Sequence, residues 1–493
     1  MFDIIDNFLR EHAPSWYRTP QVQTAVLGLV FFWVFAAYTT IQFYAASTYG
    51  SDLAADSVSA IYLTFTLTCL ISPGIVNKWG CRRSMFYGVL GYASLVLVSL
   101  IYFLCGGTIW TRRLVVMGGA VLGCGASILW TAQGRLILQY ASRAELETNV
   151  KPTDDGKKMS KSNSATQSGK LVGMFWAIFQ CSSLVGGSIS FLYYNNKPQG
   201  STTLYALFLV FILIGALFTQ TLLPPEILLM TPTTDTMNNV EDVEETSTEL
   251  TPLTVNDNAK YASEALPIQT RFSDDLSNQS WTQESLGTLK LFFTQRMMFL
   301  FLLFFYTGFN QPYQQATFGN RFFTRRTIGV ELIVFHLMEI IGAIVCGRLL
   351  DFESPTVTRR KRAIACLVAF IVINTTGNML AAIQEYAAKQ NGSAVAHDIA
   401  DMSVVLPSLA FACWGFSDAQ IQVFCYWLMA DFFTSGSDHS RAVGCYKCAQ
   451  SFGTSIGFYC IPTSRLSEVS QLTFSSLVFI AGTALAFSQL PPS

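Results

Sequence analysis

Residues 122–140 read LGCGASILWTAQGRLILQY. The first half of this stretch is apolar and spaced by small residues, a pattern typical of a membrane helix packed closely against a neighbour. The second half places Trp130, Gln133 and Arg135 within six positions. We interpret these three residues as the inner end of a membrane helix. They either anchor it at the headgroup level or line the inner mouth of a solute path.

The composition of the whole chain supports a membrane protein. Of its 493 residues, 51% are hydrophobic and 13% are charged, with a mean hydropathy of +0.38. Soluble domains carry about 25% charged residues. The net charge of −1 gives no general attraction to nucleic acid. The twelve cysteines lie mostly in apolar runs, so we interpret them as small apolar side chains and not as a disulfide framework.

Twelve stretches are long and apolar enough to span a bilayer as helices. The first run starts near Thr24 and exceeds the length of a signal peptide, so we expect it to be a retained helix. The predicted spans are 24–47, 55–76, 84–105, 114–133, 171–193, 203–224, 298–318, 328–348, 362–383, 403–427, 442–462 and 469–488. The fold class is therefore an all-α membrane protein with twelve transmembrane helices.

A polar stretch at 225–290 divides these spans into two sets of six. Residues 225–288 hold twelve acidic and two basic side chains and no helical apolar periodicity, which is typical of a disordered linker. We predict an N-terminal segment at 1–23, a first six-helix half at 24–224, an acidic cytoplasmic linker at 225–290 and a second half at 291–493.

Lysine and arginine predict the orientation. Most of them, including Lys447 between the tenth and eleventh helices, fall in connections on the side of the N-terminus, which favours cytoplasmic termini. Arg321, Arg325 and Arg326 lie on the outer side and go against this trend. The triplet Asn391-Gly-Ser393 falls in an outer loop, where a glycan can be attached, whereas Asn278-Gln-Ser280 falls in the inner linker. The sequence does not decide between the plasma membrane and an endomembrane.

Short matches recur between the halves in the same order. Tyr38 starts YTTIQFY and Tyr306 starts YTGFNQPY, and similar pairs link Lys170 with Arg441 and Thr131 with Asp418. Two parallel six-helix repeats are the layout of the major facilitator superfamily.

The sequence also resembles the loop signature that follows the second helix in that superfamily. The stretch PGIVNKWGCRR (73–83) keeps Lys78, Gly80 and Arg82 but has Asn77 in place of the usual acid. The copy in the second half keeps both Gly347 and Asp351. The resemblance implies that the acid pairs with nearby helix ends and holds one transport state, so its loss at Asn77 weakens the case for ordinary rocking transport.

Within the superfamily, the chain resembles the Unc-ninety-three-like family. The resemblance rests on GCGA from Gly123, on LW and QG in the same helix, on GMFWAIFQCS from Gly173, and on YTG and GFSDA in the second half. Ser127 and Gly187 depart from the residues common there. The resemblance implies a polytopic protein of transporter fold. Its members are tied to regulation of potassium channels, to escorting other membrane proteins, or to unknown substrates.

Small residues on two helices predict close packing. Gly119, Gly123 and Gly125 lie on the fourth helix and Gly173 on the fifth, and Gly119-x-x-x-Gly123 is the familiar small-residue spacing.

Ionisable side chains inside spans are costly and point to a functional pathway or to a buried structural pair. Asp418 lies deep in the tenth helix. His336 and Glu339 are three residues apart and share a face of the eighth helix, where they can relay a proton.

Neutral polar side chains complete the candidate pathway. Gly308 and Pro312 are expected to break the seventh helix near Asn310 and Gln311. Further candidates are Gln42, Gln133 and Gln180. Such amides line a cavity for a polar or ionic solute, or they form hydrogen bonds between helices.

Three enzyme-like patterns lack their required setting, so we predict no enzyme, no cofactor and no metal. The stretch GTSIG at 453–457 follows no strand. Cys445 and Cys448 have no second cysteine pair, and no phosphate-binding loop is present.

Two functions remain open. The first is transport of a small solute or ion, coupled to protons through His336, Glu339 or Asp418. The second is a non-transporting regulator or trafficking partner of an ion channel or receptor, which Asn77 and the acidic linker favour. Besides the lipid bilayer, the expected partner is an unknown solute or another membrane protein.

Overall fold

A computed structural model of the chain describes residues 2–49, 51–150, 168–196, 202–229, 281–352, 357–433, 435–460 and 465–491. Within these ranges the backbone is almost entirely helical, and the one extended pairing is an isolated bridge between Phe323 and His397. Most of the predicted acidic linker, including Asn278, lies outside the described residues.

The described residues of the first half form eight α-helices. They are α1 (Phe2–His12), α2 (Pro20–Tyr49), α3 (Ser51–Cys69), α4 (Ser72–Trp79), α5 (Cys81–Cys105), α6 (Ile109–Val150), α7 (Ser168–Asn196) and α8 (Thr202–Thr219). Gly80 joins α4 to α5 with a φ of 80°, a conformation that side chains with a Cβ rarely adopt.

The second half forms eight more helices. They are α9 (Trp281–Phe292), α10 (Gln295–Gln311), α11 (Gly319–Phe322), α12 (Arg325–Leu350), α13 (Arg359–Gln390), α14 (Val405–Phe432), α15 (Gly436–Cys460) and α16 (Glu468–Phe487). Threonine or serine caps start three of them, because Thr324, Thr358 and Ser467 accept hydrogen bonds from backbone N–H groups of the first turn.

Nine of the described helices are long and apolar enough to cross a membrane, and two bent pairs raise this number to eleven. The pairs are α3 with α4, bent by 64°, and α9 with the segment that begins with α10, bent by 78°. Helix α15 coincides with the eleventh predicted span but is not among these spans, and it carries Asp438, Arg441 and Lys447. The count of twelve stays a prediction.

The seventh span does not break at Gly308 and Pro312 in the way that the sequence predicts. Helix α10 continues past Gly308, which packs against the backbone carbonyl of Gln450 on α15. At Pro312 the chain passes into a π-helix over Pro312–Phe318 instead of unwinding. A π-turn accommodates the missing N–H of proline while the chain continues across the bundle.

The four predicted packing glycines lie at direct contacts between helix backbones. A Cβ at Gly119 would lie 2.8 Å from the carbonyl oxygen of Ser57, and one at Gly125 would lie 2.7 Å from that of Gly88. At Gly123 it would collide with the carbonyl oxygen of Ile61. Gly173 brings α7 against α12, where a Cβ would lie 2.7 Å from the carbonyl oxygen of Ala343. Close backbone approach of this kind is how helices pack when lipid offers no hydrophobic driving force.

We call the side of the bundle at which α2 begins and α16 ends the terminal face. Contacts between the two halves run along α3 with α15 and along α7 with α12. Thr66 Oγ1 donates a hydrogen bond to Ser451 Oγ (3.0 Å), and Tyr62 stacks with Phe458 at 5.9 Å between ring centroids. At the terminal face, Gly169 packs directly on Gly347. The halves therefore enclose a space between them in the middle of the bundle.

Candidate functional site

The central cavity between the two halves has a volume of about 170 Å³. Five of the predicted pathway residues line it: Gln42, Gln180, Gln311, His336 and Glu339. The other polar side chains on its wall are Thr39, Ser183, Gln315, Gln422, Lys447, Gln450, Ser451 and Thr454. Both halves thus contribute polar groups to one enclosed site.

Aromatic rings form the wall on the side of the first half. Trp130 of α6 packs against Trp176 and Phe179 of α7, with ring centroids 5.9 Å and 5.6 Å away, and Phe35 and Tyr38 of α2 complete this wall. The interpretation of Trp130 as an anchor at the headgroups is wrong, because its ring is buried and faces the cavity. Helix α6 continues to Val150, well beyond the predicted end at 133, so Trp130 lies inside the bundle.

Lys447 of α15 reaches into the same cavity and was missed as a site residue. Its Nζ lies 4.0 Å from the ring centroid of Trp130 and 5.7 Å from that of Trp176, and it donates a hydrogen bond to Gln450 Oε1 (2.7 Å). Lys447 lies inside the eleventh predicted span, 442–462, but was counted with the basic residues of the preceding connection. In the structure it is three turns into α15, which begins at Gly436, and it lies within the bundle.

Three ionisable groups of the second half are in contact. His336 Nδ1 and Glu339 Oε2 are 2.5 Å apart on α12, and the Glu339 carboxyl group lies next to that of Asp418 on α14. Asp418 does not line the cavity but lies behind Glu339. Because two adjacent carboxylates repel each other, this pair favours a state in which one of them holds a proton.

The hydrogen bonds continue from Asp418 to Lys447. Gln422 Nε2 donates to Asp418 Oδ2 (2.8 Å), and Gln450 Nε2 donates to Gln422 Oε1 (3.4 Å). Gln450 in turn accepts from Lys447. We call the six side chains His336, Glu339, Asp418, Gln422, Gln450 and Lys447 the polar chain. It links a carboxyl pair to a buried cation along one side of the cavity.

Two predicted pathway residues lie away from the cavity wall. Gln133 accepts a hydrogen bond from Tyr426 Oη (3.2 Å) and joins α6 to α14 across the two halves. Asn310 is buried beside Tyr306 of its own helix, α10. The structure therefore assigns Gln133 to a contact between helices and Asn310 to a buried position away from the cavity.

Arg135 does not line the central cavity. It is buried at the terminal face, where its Nη1 donates to Asn77 Oδ1 (2.8 Å) and to the carbonyl oxygen of Val76 (3.3 Å). Ser440 Oγ also donates to Asn77 Oδ1 (2.5 Å). Asn77 thus connects α4, α6 and α15.

The acid missing from the first-half loop is supplied by another element. Glu284 of α9 accepts from Asn77 Nδ2 (3.0 Å) and from Nε and Nη2 of Arg441 (3.1 and 3.0 Å). Helix α9 lies within the predicted linker, where the sequence analysis expected no helix. A carboxylate therefore lies next to Asn77. The asparagine in place of the loop acid is thus weaker evidence against ordinary rocking transport.

In the second half Asp351 itself makes the corresponding contact. Its carboxylate caps the start of α7, accepting from the backbone N–H of Gly169 (3.3 Å) and of Lys170 (2.5 Å), and Gly347 packs beside it. Burial raises the pKa of Asp351 to about 7, while those N–H groups, Lys170 and Arg362 act in the opposite direction. Of the other loop residues, Lys78 and Gly80 are exposed and Arg82 is half-buried.

Asn391 closes the C-terminal end of α13 and is exposed, together with Gly392 and Ser393. Among the described residues, no group of three or more His, Cys, Asp or Glu side chains could hold a metal ion.

Two helical halves around a central polar cavity define a membrane protein of the major facilitator fold. Two solved structures share this fold. The human organic anion transporter MFSD10 has a TM-score of 0.54 at 12% identity, and the fucose:proton symporter FucP of E. coli has 0.58 at 13%. Each alignment covers 96% of this chain and 100% of the other. The likeness establishes the fold alone.

The chain belongs to the UNC-93 family, whose description is ion channel regulatory protein UNC-93. The family model matches residues 55–153 and 152–487. An UNC93-like protein of Schizosaccharomyces pombe is 23% identical over 414 residues, covering 83% of this chain and 69% of the relative. UNC93-like protein 1 of Arabidopsis thaliana is 22% identical over 471 residues, covering 92% and 86%. Family and fold are those of membrane transporters and regulators and not of enzymes.

Proposed function

We propose that the chain carries a small polar solute across the membrane through the central cavity, coupled to the movement of a proton. The observation that carries this proposal is the polar chain, because it connects a carboxyl pair able to hold a proton with a cation on the cavity wall. Ionisable groups inside a membrane are expensive to keep and are a usual mark of ion and substrate pathways.

The coupling follows from the order of the side chains. His336 and Glu339 face the cavity, so they exchange a proton with the water inside it. Asp418 is one contact further in and shares that proton. A change of protonation there alters the hydrogen bonds of Gln422 and Gln450, which hold Lys447 in place. Proton binding thereby changes the charge that a solute meets.

The terminal face gives this cavity a gate. Contacts of Asn77 with Ser440, and of Asp351 with the start of α7, join the two halves on that side by hydrogen bonds. Rocking of one half against the other breaks these contacts and opens the cavity to that face.

The test uses the purified full chain in liposomes with a pH-sensitive dye inside and a panel of small polar solutes outside. We expect a solute-dependent proton influx that is lost in Glu339→Gln. Glu331→Gln is the matched control, because Glu331 is a buried carboxyl on the same helix that does not line the cavity. Equal influx in wild type and Glu339→Gln, or none with any solute, contradicts the proposal.

A second candidate function is regulation of an ion channel without transport, and the description of the UNC-93 family favours it. In that case, affinity capture of the full chain from native membranes yields a stoichiometric channel, and liposomes show no solute-driven proton flux. Recovery of the chain alone argues against regulation.

A further inference from the structure

Lys447 is a buried cation without a carboxylate partner among the described residues. Its side chain is 2% exposed, and its one recorded hydrogen bond there is to the neutral Gln450. An ammonium group has three N–H donors, so two remain for other acceptors. Burying a charge is costly unless an opposite charge or hydrogen bonds compensate for it.

The surroundings of Lys447 offset this cost only in part. The ring faces of Trp130 and Tyr446 lie 4.0 and 4.9 Å from Nζ, and such cation–π contacts stabilise a desolvated charge. No carboxylate of the polar chain forms an ion pair with Lys447, since Glu339 is bonded to His336 and Asp418 to Gln422. The cavity beside Nζ is therefore where an anion would pair with Lys447 directly.

The remaining wall indicates what kind of molecule brings that anion. Trp130, Trp176 and Phe179 offer apolar ring surface beside Lys447, and the amides of Gln42, Gln180 and Gln311 are neutral. A cationic solute would be repelled by Lys447, and an uncharged one would leave its charge uncompensated. The cavity volume of about 170 Å³ restricts the ligand to a small molecule.

We propose that the cavity binds a small organic acid, with its carboxylate paired to Lys447 and its apolar body packed on the rings of Trp130, Trp176 and Phe179. This inference rests on the proposed function in placing the solute in the central cavity, and it adds the chemical class of that solute. The proton held by the carboxyl pair then crosses the membrane together with an anion. The net charge moved in each transport cycle is therefore smaller than that of the proton alone.

Binding is measured on the purified full chain in lipid nanodiscs, with benzoate and benzamide as the probes. The two share a ring and nearly the same shape, and only benzoate carries a charge. Hydrogen bonds to charged groups contribute about 1.5–3 kcal/mol, so we expect benzoate to bind roughly 10- to 100-fold more tightly than benzamide. Lys447→Met should abolish this preference and Lys447→Arg should keep most of it.

Lys361→Met is the matched control, because Lys361 is exposed at the start of α13, outside the cavity. If Lys447→Met does not fold, Lys447→Gln replaces it, since glutamine keeps a polar group of similar length without the charge. Equal affinity for benzoate and benzamide in wild type overturns the inference. So does an unchanged benzoate affinity in the variant without the charge, and so does the absence of benzoate binding.

The outcome separates this inference from the proposed function. If benzoate binding depends on Lys447 but liposomes show no solute-driven proton flux, the organic-acid site is supported and transport is rejected. Proton flux driven by uncharged solutes, without benzoate binding, keeps transport and rejects the organic acid.

Discussion

Gly123 shows how tightly single residues constrain the first half. A Cβ there would collide with the carbonyl oxygen of Ile61 and the hydroxyl of Thr64 on α3, and backbone atoms cannot move aside as a flexible side chain can. We expect Gly123→Ala to destabilise the protein by about 1–3 kcal/mol through overpacking. Thermal denaturation of the purified protein measures this.

Gly187→Ala is the control for that substitution. It also adds one methyl group to a bundle glycine, but its Cβ would meet only Ile333 Cγ1 at 3.8 Å, an ordinary contact. Its denaturation temperature should match that of wild type. Equal values for Gly123→Ala and wild type would show that α3 and α6 are less closely packed than described here.

Residue types predicted part of the cavity wall and missed the rest. Gln42, Gln180 and Gln311 were singled out as polar groups within apolar spans, and they line the cavity. Asn310 has the same chemistry but is buried away from the cavity, because composition does not fix which face of a helix turns toward it. Lys447 was missed for a different reason: it lies near the start of a span and was counted with the basic residues of the connection that indicate orientation.

At the scale of elements, α9 is a helix that the sequence pattern did not predict. It is twelve residues long and carries one buried carboxylate, Glu284, which bonds to both Asn77 and Arg441. Twelve residues with few apolar positions give little periodicity, and the acidic segment before them masks what there is. The ion-pair partner of Glu284 is Arg441 on α15, which lies far away in sequence.

We expect Glu284→Gln to loosen the terminal face, because glutamine cannot replace the two charge-assisted bonds to Arg441. Cys445 reports this, since its buried Sγ donates to the carbonyl oxygen of Thr288 on α9. Site-resolved mass spectrometry after maleimide treatment should show faster labelling of Cys445 in the variant.

The control is Glu468→Gln, which weakens an ion pair with Arg321 elsewhere in the bundle. Labelling of Cys445 in that variant should stay at the wild-type rate. If Glu284→Gln leaves the rate unchanged as well, α9 does not hold the face closed.

The contact of Asp351 with the start of α7 makes closure of the terminal face sensitive to pH. Its pKa is raised to about 7 by burial in the closed face and returns to about 3.9 when an open face exposes it to water. The closed face therefore binds the proton more tightly. It is favoured at low pH, and this advantage is lost as the pH rises through 7.

We expect the equilibrium constant for opening to rise on the order of 100-fold between pH 5 and pH 8. Spin labels at Trp79 and Arg348, both exposed on this face but on different halves, measure the distance between the halves. Asp351→Asn should remove this dependence, whereas Asp401→Asn, in an exposed loop elsewhere, should preserve it. A pH dependence that survives in Asp351→Asn rejects the assignment.

On the scale of the whole molecule, the two halves have different chemistry despite their repeated layout. The polar chain lies entirely on α12, α14 and α15, whereas the aromatic wall comes from α2, α6 and α7. The repeats Tyr38 with Tyr306 and Thr131 with Asp418 predicted the shared layout. They did not predict that one half would hold the ionisable groups and the other the rings, because this division arises only where the halves meet.

The same architecture makes the orientation of the chain testable. Helix α13 starts at the terminal face with Arg359 and has 32 residues, which is about 48 Å of helix, so Asn391 at its other end lies on the opposite face. Basic residues predict that the termini are cytoplasmic. Arg321 goes against this trend, but it forms ion pairs with Glu385 and Glu468. Asn391 then faces the compartment in which glycans are added.

We therefore expect the chain expressed in a eukaryotic cell to carry one glycan, at Asn391. Treatment with an N-glycosidase should increase its electrophoretic mobility, and Asn391→Gln should migrate like the treated protein. Asn278→Gln, in the predicted inner linker, should behave like wild type. A glycan that persists in Asn391→Gln and disappears in Asn278→Gln reverses the orientation. In that case the terminal face, with the contacts of Glu284 and Asp351, lies outside the cytoplasm.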